Sequence, residues 1–230
     1  GRWAAQHGIW VVTDEIYEDI VYDGRAHVSP ASVADLRERT ATMEWGEMQI
    51  STEQGQLLAL LTRLSGGRRA IELGTFTGYS STCVAEALGP DGRLVCCDVS
   101  EEWTDIAREA WRAADVEERV HLRIGPASET LATMLADGEA GTYDLAFVDA
   151  DKVGYPGYYE QLLELLRPGG WIAFDNMFRG GGVFAEPGTE RGDEPGNAAL
   201  RELNQALYAD ERVEPSLLPL GDGLMLVRKR

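Results

Sequence analysis

Two short runs place acidic side chains where chemistry is expected: Phe147-Val148-Asp149-Ala150-Asp151-Lys152 and Ala173-Phe174-Asp175-Asn176. Each ends an apolar run of strand length. Neighbouring parallel strands lie about 4.8 Å apart and open their C-terminal ends on one crevice, so Asp149, Asp175 and Asn176 can converge. Two carboxylates and an amide carbonyl suit a hard divalent cation, Mg²⁺ first and Ca²⁺ or Mn²⁺ next, and the absence of nearby His or Cys disfavours a softer metal. Asp175-Asn176 alone would read as an ordinary polar turn; two such clusters at successive strand ends point to a site. Lys152 is one of only two lysines in the chain. Beside a dication its pKa is expected to fall, which would fit it as general base for a hydroxyl; the alternative is a solvated surface lysine.

A third cluster is Ile71-Glu72-Leu73-Gly74-Thr75-Phe76-Thr77-Gly78-Tyr79-Ser80, a glycine-rich turn leading from a strand into a helix. Glycines let backbone approach a ligand, and the helix start offers free N–H groups. The spacing differs from the G-x-G-x-x-G that accommodates a pyrophosphate. Glu72, just before the glycine, suits a ligand with a cationic end and no phosphate. Asp98 closes the next strand ahead of Ser100, Glu101 and Glu102, a capped helix start. An acid there can accept both ribose hydroxyls, or stand as a solvated strand-end carboxylate.

The elements that must position these groups alternate. Apolar runs predict strands at 69–73, 93–98, 120–124, 143–149 and 170–175, with helices near 53–65, 78–88, 101–114, 127–137 and 156–166 between and before them. This is the pattern of a mostly parallel sheet covered by helices. A Gly-, Pro- and acid-rich loop, 179–196, is too long to be a simple connection and is expected to be functional, mobile or both. A helix near 197–209 and runs at 213–219 and 223–228, joined by Gly221-Asp222-Gly223, predict an antiparallel hairpin at the sheet edge. The fold class expected is α/β, a doubly wound, mostly parallel seven-stranded sheet with an antiparallel C-terminal hairpin.

With 230 residues, one substantial α/β domain with a short N-terminal extension is expected. Lys and Arg number 21 against 39 Asp and Glu, a formal net charge of -18, which argues against nucleic-acid or anionic-membrane surfaces and for a small-molecule partner. Cys83, Cys96 and Cys97 lack metal or redox spacing, and the adjacent pair would point to opposite sheet faces; all three read as core thiols. No run of transmembrane length and no signal pattern is found, so a cytoplasmic protein is expected.

Met48-Gln49-Ile50-Ser51 with Glu53-Gln54-Gly55-Gln56, Glu72 to Ser80, Asp98, Gly125-Pro126-Ala127, Phe147 to Lys152, Asp175-Asn176 and Pro219-Leu220-Gly221-Asp222-Gly223 together resemble a known family. It is the caffeoyl-CoA and catechol type of class I, S-adenosylmethionine-dependent O-methyltransferases, matched in order and spacing over roughly residues 36–230. The resemblance implies a Rossmann-like methyltransferase domain at 48–230. Ile50 would line the cofactor pocket through its backbone, Glu72, Gly74, Thr75 and Ser80 would surround the methionine part, Asp98 would bind the ribose, and Ala127 would lie by the adenine. Asp149 and Asp151 would also adjoin the cofactor. Asp149, Asp175 and Asn176 fall on the metal ligands, and Lys152, with Asp149, on the catalytic positions. The implied reaction is metal-dependent: one hydroxyl of a small catechol-like substrate loses its proton and attacks the sulfonium methyl in line. A homodimer is implied as well.

Two features depart from the family. Where it usually has an aromatic residue after Asp-Asn, this chain reads Met177-Phe178-Arg179. Arg179 would face an acidic substrate group or point to solvent, and Phe178 or Trp45 would supply the aromatic surface. Glu186, Glu190, Asp193 and Glu194 make a polyanionic coenzyme A thioester an unfavourable guest. Residues 4–31 resemble part of a class I aminotransferase, but the Schiff-base lysine context that chemistry needs is missing. Helices near 13–22 and 33–40, acting within residues 1–47 as a lid and dimer interface, are the expectation for this stretch. Two alternatives stand beside the enzyme: a noncatalytic module of the same fold that binds S-adenosylmethionine, and a nicotinamide-dependent oxidoreductase, which the missing pyrophosphate turn disfavours.

Overall fold

The protein is described by a computed structural model over residues 30–230. The resemblance at 4–31 and the helix expected near 13–22 lie outside or almost outside those residues.

Seven strands form one sheet. They are β1 (Arg69–Leu73), β2 (Arg93–Asp98), β3 (Val120–Ile124), β4 (Tyr143–Val148), β5 (Leu166–Phe174), β6 (Val213–Leu218) and β7 (Leu224–Lys229). Their order is β3-β2-β1-β4-β5-β7-β6, parallel through β5, with β7 antiparallel to β5 and to β6. The order reverses between β1 and β4, so the connections leaving their C-terminal ends turn to opposite faces of the sheet and leave a crevice there, the usual ligand place in such sheets. β5 starts at Leu166, four residues before the expected 170, because its first residues pair with β4 across a register shift at Tyr143/Leu145.

Helices α1 (Pro30–Ala41), α2 (Thr52–Leu64), α3 (Tyr79–Leu88) and α4 (Glu101–Ala113) cover one face. Their buried Leu36, Leu58, Val84 and Trp111 pack on Ala70, Cys96, Phe147 and Ala173. Helices α5 (Ala127–Ala136), α6 (Tyr155–Leu165) and α7 (Pro195–Ala209) cover the other, where Leu131, Leu162 and Leu200 meet Ile71, Cys97, Val148 and Phe174. Alternate strand residues therefore serve opposite faces, as the period of two demands, and Cys96 and Cys97 do point opposite ways. All three cysteines are unpaired thiols, and burial pushes Cys83 and Cys97 up to about 12, which leaves them protonated.

Local chemistry sets the helix starts. Ser51 and Gln54 form a reciprocal capping box on α2, Ser100 caps α4 with Glu101 and Glu102 in the first turn, and Glu194 caps α7 ahead of Pro195. α1 matches the helix expected at 33–40 and is fixed to the domain through Arg37 to the Ile50 carbonyl, Arg39 to Glu109 and Thr40 to Thr77. The loop after Asn176 is not free: Arg179–Phe184 forms a 3-10 stretch, and Arg201 of α7 donates to the carbonyls of Val183, Ala185 and Gly192. Among the described residues no helix is long and apolar enough to cross a membrane.

Candidate active site

The turn after β1 is shaped by glycine. Gly74 has φ +84°, and a Cβ there would overlap the Asp149 carbonyl oxygen and stand 2.6 Å from its carbon. Gly74 N–H donates to Cys97 O and Asp149 N–H to Leu73 O, so the ends of β2, β1 and β4 are stitched together at this point. Gly78 (φ +89°) lets α3 start against α4, where a Cβ would come 2.7 Å from the Ala107 Cβ.

Glu72 lies on the α1–α4 face of β1 and is fully buried. Burial raises its pKa to about 8; the Ser80 and Thr75 hydroxyls draw it partly back, and the charges of Asp149 and Asp98 push it further up. Among the described residues its Oε2 has no hydrogen-bond partner at ordinary distance. Orphaned buried polar atoms are costly, and a carboxylate in this state fits a cationic ammonium group arriving from outside. Ser80, also buried, sits in the first turn of α3.

Asp98 is not a solvated strand end. It is buried, its Oδ2 accepts from the N–H groups of Thr75 and Phe76, and its Oδ1 accepts from Ser100 N–H. It therefore organises the glycine-rich turn as well as ending β2. Ile50 is buried with its carbonyl taken by the Arg37 guanidinium at 2.7 Å, while Arg37 also lies over the Tyr79 ring. Ala127 opens α5 and is buried. Next to it along the chain, Ser128 joins Asp151, Val153, Tyr158 and Gln161 around a cleft of about 310 Å³. Asp151 accepts from the Tyr158 hydroxyl and from Gly154 N–H, capping the turn Lys152–Gly154.

At the ends of β4 and β5 the charged groups form one connected set. Lys152 Nζ lies 2.8 Å from Asp149 Oδ1 and 2.8 Å from the Tyr155 hydroxyl. Tyr155, fully buried, donates to Val148 O (2.9 Å) and lies 3.2 Å from Asp175 O. Lys152 is mostly enclosed, with a side chain 10 % exposed, which sets aside the solvated surface lysine. Asp175 is buried and its Oδ1 accepts from Gln54 Nε2 (2.9 Å) and Asn176 N–H (2.7 Å). Burial raises Asp175 to about 7, and the charge of Asp149 adds to that, so the two carboxylates feel each other. Burial also raises Asp149, against the pull of Lys152. Asn176 holds φ +58°, a left-handed conformation that Asn tolerates better than most residues.

Two neighbouring carboxylates that repel each other, with an amide adjoining, form a donor set that fits a hard cation. Among the described residues no three His, Cys, Asp or Glu side chains cluster closely enough to hold an ion, so Asn176 and oxygens from elsewhere would have to complete such a shell.

Arg179, whose side chain is about two-fifths exposed, is engaged by an acid of its own chain. Its guanidinium pairs with Glu194, the α7 cap, at 3.2 Å. The Phe178 ring tilts on Phe184 at 5.7 Å and lies over Gly223, where a Cβ would come within 2.8 Å. Trp45 is exposed. Sequence reasoning gave no roles to Arg37, Gln54, Tyr155 or Asp222, whose carboxylate accepts from Gly180 N–H. The S-x-x-Q capping box was a signal for Gln54, and the Gly221-Asp222-Gly223 turn marked Asp222 without its contact to Gly180; Arg37 acts across folded distance and carried none.

Comparison with known proteins gives the family. Residues 24–230 match the model of a family described as O-methyltransferase. The chain is 44% identical over 182 residues to a probable caffeoyl-CoA O-methyltransferase 2 of Dictyostelium discoideum, covering 79% of this chain and 78% of that one. It is 43% identical to catechol O-methyltransferase domain-containing protein 1 of Mus musculus, over 86% and 74% of the two chains. The solved O-methyltransferase from Bacillus cereus in complex with SAH superposes with a TM-score of 0.78 at 29% identity, over 96% and 98%. The nicotinamide alternative is thereby set aside, and the chain belongs to the O-methyltransferase family.

Proposed function

We propose that this protein transfers a methyl group from S-adenosylmethionine to one hydroxyl of a small catechol-like substrate, with a divalent cation, Mg²⁺ first, held by Asp149, Asp175 and Asn176. The observation that carries this reading is the set formed by Lys152, Asp149 and Asp175 at the ends of β4 and β5, beside the backbone contact of Gly74 with Asp149.

In this reading Glu72 receives the methionine ammonium of the methyl donor, which supplies its partnerless Oε2 with a partner. Gly74, Thr75 and Ser80 line that end, Ile50 adjoins it through its backbone, Asp98 meets the ribose, Ala127 lies by the adenine, and Asp149 and Asp151 also adjoin the cofactor. A divalent cation, when bound, would acidify a nearby substrate hydroxyl and fix its position. As the neutral amine, Lys152 takes the hydroxyl proton at Nζ and becomes the ammonium that Asp149 and Tyr155 hold in place. Phe178 offers a flat apolar surface for the substrate ring. The solved neighbour bound to SAH supports the donor, and the names of the relatives support oxygen as the acceptor atom.

Residues 1–47 as a lid and dimer interface belong to the same proposal, checked by the solution mass of the full chain. The experiment that tests the function is mass-detected turnover of a catechol panel, a coenzyme A thioester included, with S-adenosylmethionine and Mg²⁺. Binding of the donor with no methylated product from any member would favour the noncatalytic module instead.

A further inference from the structure

Gln54 is the third residue of α2, where a capping-box side chain has only one duty: to accept the N–H of the cap residue. Its Oε1 does so, 3.0 Å from Ser51 N. The other end of the same amide normally faces water. Here it is buried, and Nε2 donates to Asp175 Oδ1 at 2.9 Å, across 121 residues of sequence. The β6–β7 turn closes over the group: a Cβ at Gly221 would stand 2.9 Å from Oε1 and 3.0 Å from Nε2. Among the described residues, both hydrogen bonds that the Asp175 carboxylate accepts fall on Oδ1, which leaves Oδ2 for another partner.

We infer that Gln54 is a positioning residue that couples the two halves of the site. One planar amide fixes the distance between the Ile50-Ser51 segment, on the side given to the methyl donor, and Asp175, on the side given to the cation. A shift of either segment strains the bond to the other, so filling one side favours the geometry the other needs. Partners that orient a ligating carboxylate in this way typically govern metal affinity 10- to 100-fold, and the coupling must be reciprocal. The inference rests on the proposed reading of Asp175 as a cation ligand.

The test is titration of the full chain with Mg²⁺ by calorimetry, with and without S-adenosylhomocysteine as an unreactive occupant of the donor side. Wild type is compared with Gln54→Met, which removes both hydrogen bonds, and with Ser51→Ala, which breaks the other half of the capping box and keeps the Gln54–Asp175 bond. The expected result is that S-adenosylhomocysteine tightens Mg²⁺ binding to wild type and to Ser51→Ala. In Gln54→Met the Mg²⁺ affinity drops about 10- to 100-fold and the tightening disappears, although both variants lose thermal stability alike. If Gln54→Met keeps wild-type affinity and tightening, or if Ser51→Ala loses them equally, the positioning role is overturned and the cation site stands. Absence of Mg²⁺ binding in wild type overturns the cation site itself and the inference with it.

Discussion

Gly74 and Asp149 meet backbone to backbone: a Cβ on Gly74 would overlap the Asp149 carbonyl oxygen and lie 2.9 Å from Ala150 N. The turn assigned to the methyl donor and the strand end assigned to the cation are thus one packed unit. Gly74→Ala must adopt φ +84° with a side chain and also push β4 away. It is expected to lose about 3 kcal/mol or more in urea unfolding. A loss under about 1 kcal/mol would show that the contact relaxes freely.

The orphaned Glu72 gives a pH prediction. Its pKa is raised from 4.5 to about 8, so the folded, donor-free protein holds a proton that the unfolded chain releases. Its contribution to stability is complete below about pH 4.5 and declines as pH rises towards about 8. Asp175 and Glu86, both raised to about 7, slope the same way, so the Glu72 share is read by difference. Glu72→Gln should show a flatter fall of Tm with pH across this window than wild type, and weaker binding of S-adenosylmethionine. Parallel Tm profiles would contradict the assignment.

Lys152, the base in the proposed reaction, is held by Asp149 and Tyr155 at 2.8 Å each. Lys152→Met is expected to cut kcat by about 10²- to 10⁴-fold while the dissociation constant of S-adenosylmethionine stays near that of wild type. Equal losses in binding and turnover would mean the lysine is structural.

Arg179 is spent on Glu194, with both side chains about two-fifths exposed. Arg179→Ala should therefore change stability by no more than about 1 kcal/mol and leave substrate KM close to wild type. A large rise of KM for acidic substrates alone would return Arg179 to the substrate.

The strands and helices of the sheet and the groups at its strand ends were readable because short apolar runs, glycine turns and a terminal acid or Asn are local patterns. Glu72, Asp98, Asp149, Lys152 and Asp175 all come to the crevice that these patterns point to. What the sequence concealed depends on partners far along the chain. The Gln54 amide reaches Asp175 across 121 positions, and the 179–196 loop is tied down by Arg201 from the following helix. A second use of Asp98, as an anchor for Thr75 and Phe76, was hidden for the same reason, since it appears only once β1 and β2 are side by side.

The central claim is a cation-assisted methyl transfer to one of two neighbouring oxygens. It is tested most directly by mass-detected turnover of catechols with S-adenosylmethionine in three states: with Mg²⁺, with excess chelator, and with Mg²⁺ restored. The account predicts methylated product in the first, loss in the second and recovery in the third, with Asp149→Ala inactive throughout yet folded. Undiminished product in excess chelator would contradict it.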